Sequence, residues 1–503
     1  MEKSDRINVA LKETNMKKCV VFMAAVVLTS LLPFRVSAQV AIDETHFPDS
    51  VFRAYVQENF DTDHNGSLSE AECEAVRTID VSGTYDSYSL VSDLTGIGHF
   101  PVLDTLNCSY AEITNLDLDQ NPVLEYLNCS FTGITSLDLS QNPALKYLDC
   151  GFTGITNLDL SQNPALKYLN CISIGITSLN LNQNPALYIL ICAGTGITSL
   201  DLSQNLALHY LQCNHTGLTS LDVSQNPALT QLVCSDNPSL TVIHVNGASA
   251  LESLDCGNTG ITSLDLSQNP VLDYLNCQNT KITSLDVSRN PALTSLLCLD
   301  TEITSLDLSQ NPALDYLYCS NTKLTSLDVS RNPELEVLFC QNAELSHIDL
   351  SQNSALQTVD FQGNVRSVKV GIGDTYDLGQ IEGFDLSRVT WNSNTEIEGS
   401  LLRFTTESIA YEYDIRLGGN EYKVAFTLKA VPDLAAEGQS EPVSFRAWTE
   451  SGQLHLEGTE GMVEVFDLGG RCLYRGQSSV IPLPGSGIYL VRNQGRSQKV
   501  VNL

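Results

Sequence analysis

The chain predicts a solenoid, one short coil repeated through more than half of its length. Cys108, Cys129, Cys150, Cys171, Cys192, Cys213, Cys234, Cys256, Cys277, Cys298, Cys319 and Cys340 stand 21 residues apart, with one step of 22 between Cys234 and Cys256. Around each runs a variant of one phrase, ALKYLDCGFTGITNLDLSQNP at residues 144–164. A coil this short buries its apolar edge only against its neighbours, so function belongs on a long ordered surface rather than in a pocket.

Residues 1–38 read as a leader. Lys17 and Lys18 precede an apolar run that ends in Val36-Ser37-Ala38, the pattern of a secretory signal peptide cleaved near Gln39. The polar stretch before Met16 reads as a start placed too early. Cys19 precedes the apolar run, so no lipid anchor is expected. No later segment has the apolar length to span a bilayer. The expected location is outside the cell, secreted or on the outer surface.

Residues 39–96 should cap the open end of the array, since an exposed first coil is a sticky edge. Phe47, Val51, Phe52, Tyr55, Val56 and Phe60 give a helical apolar face. Next comes Asp61-Thr62-Asp63-His64-Asn65-Gly66-Ser67-Leu68-Ser69-Glu70-Ala71-Glu72, which resembles an EF-hand loop throughout. The resemblance implies Ca²⁺ held by side-chain oxygens of Asp61, Asp63 and Asn65, the Ser67 carbonyl, a water-bridged Ser69 and a bidentate Glu72, with Gly66 at the sharp turn. A plainer reading makes Ser69 and Glu72 a capping box on the following helix, with the other acids solvating a turn.

Residues 97–364 form the array, about 13 coils, the last with Phe361 in the cysteine position. Leu145, Leu148 and Cys150 face inward on a first strand-like edge, and Ile155, Leu158 and Leu160 on a second. Asn142, Asn163, Asn184, Asn226, Asn269, Asn290, Asn311 and Asn332 each precede Pro and should turn inward as an asparagine ladder. Stacked coils hold their Cβ atoms slightly too far apart for disulfides, so the cysteines read as buried free thiols. The frame L-x-x-L-x-C-x-x-T/N-x-I/L resembles the leucine-rich repeat, and most of all the cysteine-ladder, 21-residue branch of internalin-type surface proteins. That resemblance implies an α/β repeat fold whose first strand lines a concave face. Leu206 and Ser354 replace the corner Pro, and Ala248 stands where Asn is expected. A bend or bulge is expected near residues 235–250.

Residues 365–430 alternate with period two, and Leu417-Gly418-Gly419-Asn420 should turn a hairpin, resembling the immunoglobulin-like β-sandwich that follows such arrays. Residues 431–444 read as a linker. Residues 445–503 form a further small β-domain, whose EVFDLGGR, PLPGSGIYLVR and terminal KVV resemble the sorting domain of type IX secretion cargo. That implies passage across an outer membrane, removal of the tail, and release or attachment to surface lipopolysaccharide.

With 59 acidic against 27 basic residues, the net charge of −32 argues against nucleic acid as a partner. One acid column, Asp138, Asp159, Asp201 and their equivalents, faces outward and reads as a solvated face rather than a cation track. On the first strand, Tyr126, Tyr147, Tyr168, Tyr210, Tyr274 and Tyr316, with Tyr318 and Phe339 in the adjoining column, also point outward. Exposed aromatics in a row suit recognition of a protein or glycan on host or bacterial surfaces; stacked rings can equally serve the sheet alone. No catalytic motif emerges. The reading is a secreted or surface binding protein, an adhesin, with a structural or biofilm-matrix protein as the alternative.

Overall fold

The computed structural model describes residues 39–392, 394–417, 423–431, 446–450, 453–457, 462–467, 471–484, 487–493 and 496–502. The leader, the Gly418–Gly419 turn and almost all of the linker lie outside these residues. The chain divides into two compact units, Met1–Leu166 and Lys167–Leu503.

In the first unit, helix α1 (Ser50–Asn59) starts where one carboxylate oxygen of Asp49 accepts the Val51 and Phe52 amides, both at 2.8 Å. The other oxygen accepts the Ser92 amide and hydroxyl, which ties the helix to the start of the array. Phe52 and Val56, four residues apart, are wholly buried with Phe47 and Phe100. Val51 instead lies 41% exposed, because its place on the helix falls beside that stripe. Helix α2 (Glu70–Cys73) follows the loop. Four strands then pair in parallel register, Thr78–Asp80, Thr105–Asn107, Tyr126–Asn128 and Tyr147–Asp149. The first rung of this ladder lies inside the segment read as the cap.

Each coil is held by burial and by its corner. Leu145, Leu148, Cys150 and Ile155 are wholly buried, and Leu158 and Leu160 nearly so. Asn142 donates through Nδ2 to the carbonyls of Leu118 and Asn121 in the preceding coil, at 3.0 and 2.9 Å. The same two bonds recur at Asn corners between Asn121 and Asn353, also at Asn205 and Asn353, where Pro is missing, but not at Ala248. Proline is therefore dispensable at the corner, and at Ala248 the backbone turn closes without the Asn side chain, the Ala248 amide donating to the Val245 carbonyl at 3.0 Å.

Two expectations about the coil need correction. Among the described residues the array holds no α-helix, only one 3-10 turn at Ile97–His99, so helix is confined to the cap and the α/β label does not describe the repeat. Two extended edges and two turns use up 21 residues, and Pro after the corner removes a helix donor. The second edge, moreover, joins a ladder only at Ser220–Asp222 with Val242–His244. The outward aspartate, as Asp159, accepts the amide two residues on, Ser161 at 2.9 Å, and Asp222 inside that ladder does the same with Ser224 at 2.8 Å.

The second unit holds ten parallel strands, from Tyr168–Asn170 to Thr358–Asp360. The expected bulge is a turn at residues 237–239, and the strands stay in register across it, Gln231 beside Ser253. Asn237 donates to the Cys213 and Cys234 carbonyls, both at 2.9 Å, replacing the Thr hydroxyl of other coils. Gly247 then passes so close to Ser224 that a Cβ would lie 1.9 Å from its carbonyl oxygen. All twelve ladder cysteines are wholly buried.

Beyond the array, residues 365–431 form two sheets. In one, Val365–Lys369 pairs in parallel with Lys423–Val431, which pairs antiparallel with Ser408–Asp414 and so onward to Val389–Trp391. The other contains Thr375–Asp377, Leu401–Arg403 and Glu396–Glu398. This module seals the last coil. Tyr411 donates its hydroxyl to the Ser346 carbonyl, Leu350 donates to Ile415, and Arg388 bridges Asp349 at 2.8 Å while donating to the Asp414 carbonyl. The tail has a three-stranded and a four-stranded sheet around Leu454, Val463, Val465 and Val491.

Candidate functional site

Two of the regions singled out by sequence have defined geometry. In the loop between α1 and α2, Asp61 is almost wholly buried and its two carboxylate oxygens accept the Asn65 and Gly66 amides at 3.0 and 2.9 Å. Gly66 has a φ of 81°, which few side chains tolerate. Asn65 donates to Asp63 and accepts from the Ser67 amide. Ser69 and Glu72 form the capping box of α2. Glu72 also turns its other oxygen to the Thr62 amide and hydroxyl, at 2.8 and 2.6 Å. Those donors, the Thr62 hydroxyl foremost, hold its carboxyl at about 2, so it is ionised at neutral pH. Carboxylate oxygens of Asp61, Asp63 and Glu72 lie within 4.8 Å of one another. Three converging carboxylates, two of them buried, fit a hard divalent cation. Capping box and cluster share Glu72, whose two oxygens each accept two donors, so a cation there would compete with Thr62 and Ser69 for the same lone pairs.

The strand face carries the eight aromatics. All are half-buried except Tyr316, which is 38% exposed. The fold brings some together: Tyr126 and Tyr147 stack at 4.2 Å and 11°, and Tyr318 and Phe339 meet at 5.1 Å and 32°. Others are separated. Tyr210 stands between Ile189 and Gln231, while Tyr274 and Tyr316 flank Ser295. Tyr318 and Phe339 line an open hollow of about 500 Å³ with Asn321, Gln341, Asn342 and Asp360. Its amides are ordered by one another, Gln341 donating to Asp360 and Asn342 to Asn321, both at 2.9 Å. A flat apolar pair ringed by donors and acceptors can bind a ligand with both apolar and hydroxyl or amide surface.

The outward acid column is built differently from a cation track. Asp138, Asp159, Asp201, Asp286 and Asp307 each accept from the serine two residues on, which holds their carboxyls below the usual range. One carboxylate oxygen of each serves a turn, and the residues are exposed. Sequence reasoning also missed aromatic stacks away from the strand columns. Tyr188 and His209 lie parallel at 4.8 Å, and Tyr110, Phe131 and Phe152 form a continuous stack. The available signal for the latter was the residue two places after each cysteine.

No protein-family model matches the chain, and no curated protein matches it. Solved structures do. The functional domain of InlJ from Listeria monocytogenes, which includes a cysteine ladder, aligns at 28% identity and a TM-score of 0.52, over 79% of this chain and 100% of that one. The array is a leucine-rich repeat solenoid. A leucine-rich repeat protein of Leptospira interrogans aligns at 21% identity and a TM-score of 0.53, over 58% of this chain and 86% of that one. An internalin of Listeria monocytogenes aligns at 21% identity and a TM-score of 0.48, over 64% and 98%. Similarity to InlJ thus includes the cysteine column itself. Among the described residues, no helix is long and apolar enough to cross a membrane.

Proposed function

We propose that this chain is an exported, surface-displayed or secreted binding protein, an adhesin whose array engages protein or glycan through its strand face. The observation that carries the reading is the Tyr318–Phe339 pair in its amide-lined hollow, on the strand face that also carries Tyr316. The similarity to InlJ supports a binding array rather than an enzyme. In this reading Ca²⁺ at Asp61, Asp63, Asn65, Ser67, Ser69 and Glu72 braces the cap, and residues 365–430 are an immunoglobulin-like spacer. Residues 445–503 direct type IX export, ending in release or lipopolysaccharide attachment. A structural or matrix role is the second reading, and the Tyr126–Tyr147 stack favours it, because each ring there covers the face of the other.

The test is attachment by the whole exported chain, scored on glycan and surface-protein arrays, for wild type, Tyr147→Ser/Tyr168→Ser/Tyr210→Ser and Tyr318→Ser/Phe339→Ser. Interface aromatics commonly contribute about 2 kcal/mol, roughly thirtyfold in affinity. We expect both variants to stay folded by circular dichroism and to lose most attachment. Persisting attachment with a lowered melting temperature assigns the rings to the scaffold.

A further inference from the structure

Two residues after each ladder cysteine, every coil places one residue in the left-handed region. Across coils four to thirteen that position holds Ser173, Gly194, His215, Asp236, Asn258, Asn279, Asp300, Asn321, Asn342 and Gly363. Most of these are types that adopt positive φ at low cost. Several also ladder, Asn279 donating to Asn258 and Asn342 to Asn321. The first three coils depart from this solution. They hold Tyr110, Phe131 and Phe152 at φ of 54°, 56° and 55°, where a bulky side chain is an outlier.

The departure builds one continuous surface. Tyr110, Phe131 and Phe152 stack at 4.3 and 4.4 Å with planes 8° and 17° apart, and Tyr88 of the cap meets Tyr110 edge-on at 5.6 Å. The outer members are open to solvent, Phe152 at 44% and Tyr88 at 49%, with Tyr85 and Leu90 nearby in the chain at 79% and 68%. Strained backbone and exposed apolar side chains in one place mark a surface kept for contact. We propose that this edge of the first three coils is a docking surface for a protein segment bearing apolar and basic side chains.

Chemistry selects that occupant. A sugar ring needs a free aromatic face, and stacking covers both faces of Phe131 and one face each of Tyr110 and Phe152. Residues 80–152 hold ten carboxylates and one lysine, so a basic partner is attracted and a second copy of the chain repelled. The proposal does not use the strand-face tyrosines and stands whether or not those bind.

The test uses the full chain and Tyr110→Asn/Phe131→Asn/Phe152→Asn, which installs the residue later coils use at this position. The probe is a synthetic peptide alternating lysine and leucine, with a glutamate–leucine control, followed by fluorescence anisotropy at about 0.15 M salt. We expect the triple variant to melt at the same temperature or higher and to bind the lysine peptide at least about thirtyfold more weakly; the control should bind neither. Phe152→Asn alone carries the same two readouts if the triple variant fails to fold. Equal binding by both chains would mean attraction by charge alone and overturns the proposal. So does a lowered melting temperature with binding unchanged, or a wild-type dimer in sedimentation that the variant abolishes.

Discussion

At the scale of single residues, the ladder thiols show what burial does to chemistry. Cys108, Cys129, Cys192, Cys213, Cys234, Cys256, Cys277, Cys298, Cys319 and Cys340 are free thiols. Burial pushes Cys129, Cys192 and Cys277 up to about 12. An unfolded thiol ionises near 8.5. Above that pH the unfolded chain releases protons that the native chain keeps, so stability is full below about 8.5 and falls with rising pH, until the native thiols also ionise near 12. Each such thiol should cost roughly 1 kcal/mol per pH unit in that window. We expect a thiol reagent at pH 8 to find few groups in the native chain and about a dozen more after unfolding. We also expect Cys192→Ala to flatten the decline in stability between pH 9 and about 11; an identical slope would show that other groups drive it.

At the scale of elements, the loop between α1 and α2 joins a cap to a ladder. Asp61 orders the loop backbone, Glu72 links the start of the loop to α2, and Asp49 ties α1 to Ser92. A cation neutralising Asp61, Asp63 and Glu72 would therefore stabilise whatever unfolds with the cap. At 100 times its dissociation constant the gain is about 2.7 kcal/mol. Wild type should melt higher in millimolar calcium and Asp61→Ala should not respond. If both melt alike with and without calcium, the capping box alone accounts for the loop.

At the scale of the whole molecule, the tail is expected to be an address. Among the described residues, the array and the module of residues 365–431 are joined through Arg388–Asp349, Tyr411–Ser346 and Leu350–Ile415, none of which involves the tail. Deleting residues 445–503 should leave the purified array folded by circular dichroism and hold the protein inside the cell envelope. Normal surface display of the deletion would refute the sorting assignment.

The sequence by itself determined the repeat. A 21-residue period, the inward leucines, the cysteine column and the Asn corners are all local demands, and each is met at the position where the pattern puts it. The convergence of Asp61, Asp63 and Glu72 was legible for the same reason, since their spacing lies within one loop. Tertiary structure decided what depends on neighbours. Whether a tyrosine stacks or stands apart follows from the residue 21 places away, which makes Tyr126 and Tyr147 a pair and isolates Tyr274 from Tyr316. The pairing of the second edge, at Ser220–Asp222 with Val242–His244, likewise depends on the neighbouring coil, since Asp222 makes the same turn bond as the unpaired Asp159. The aromatic edge at Tyr110, Phe131 and Phe152 escaped notice because its signal is a backbone angle: composition names the rings, but only the folded coil sets them at positive φ and in register.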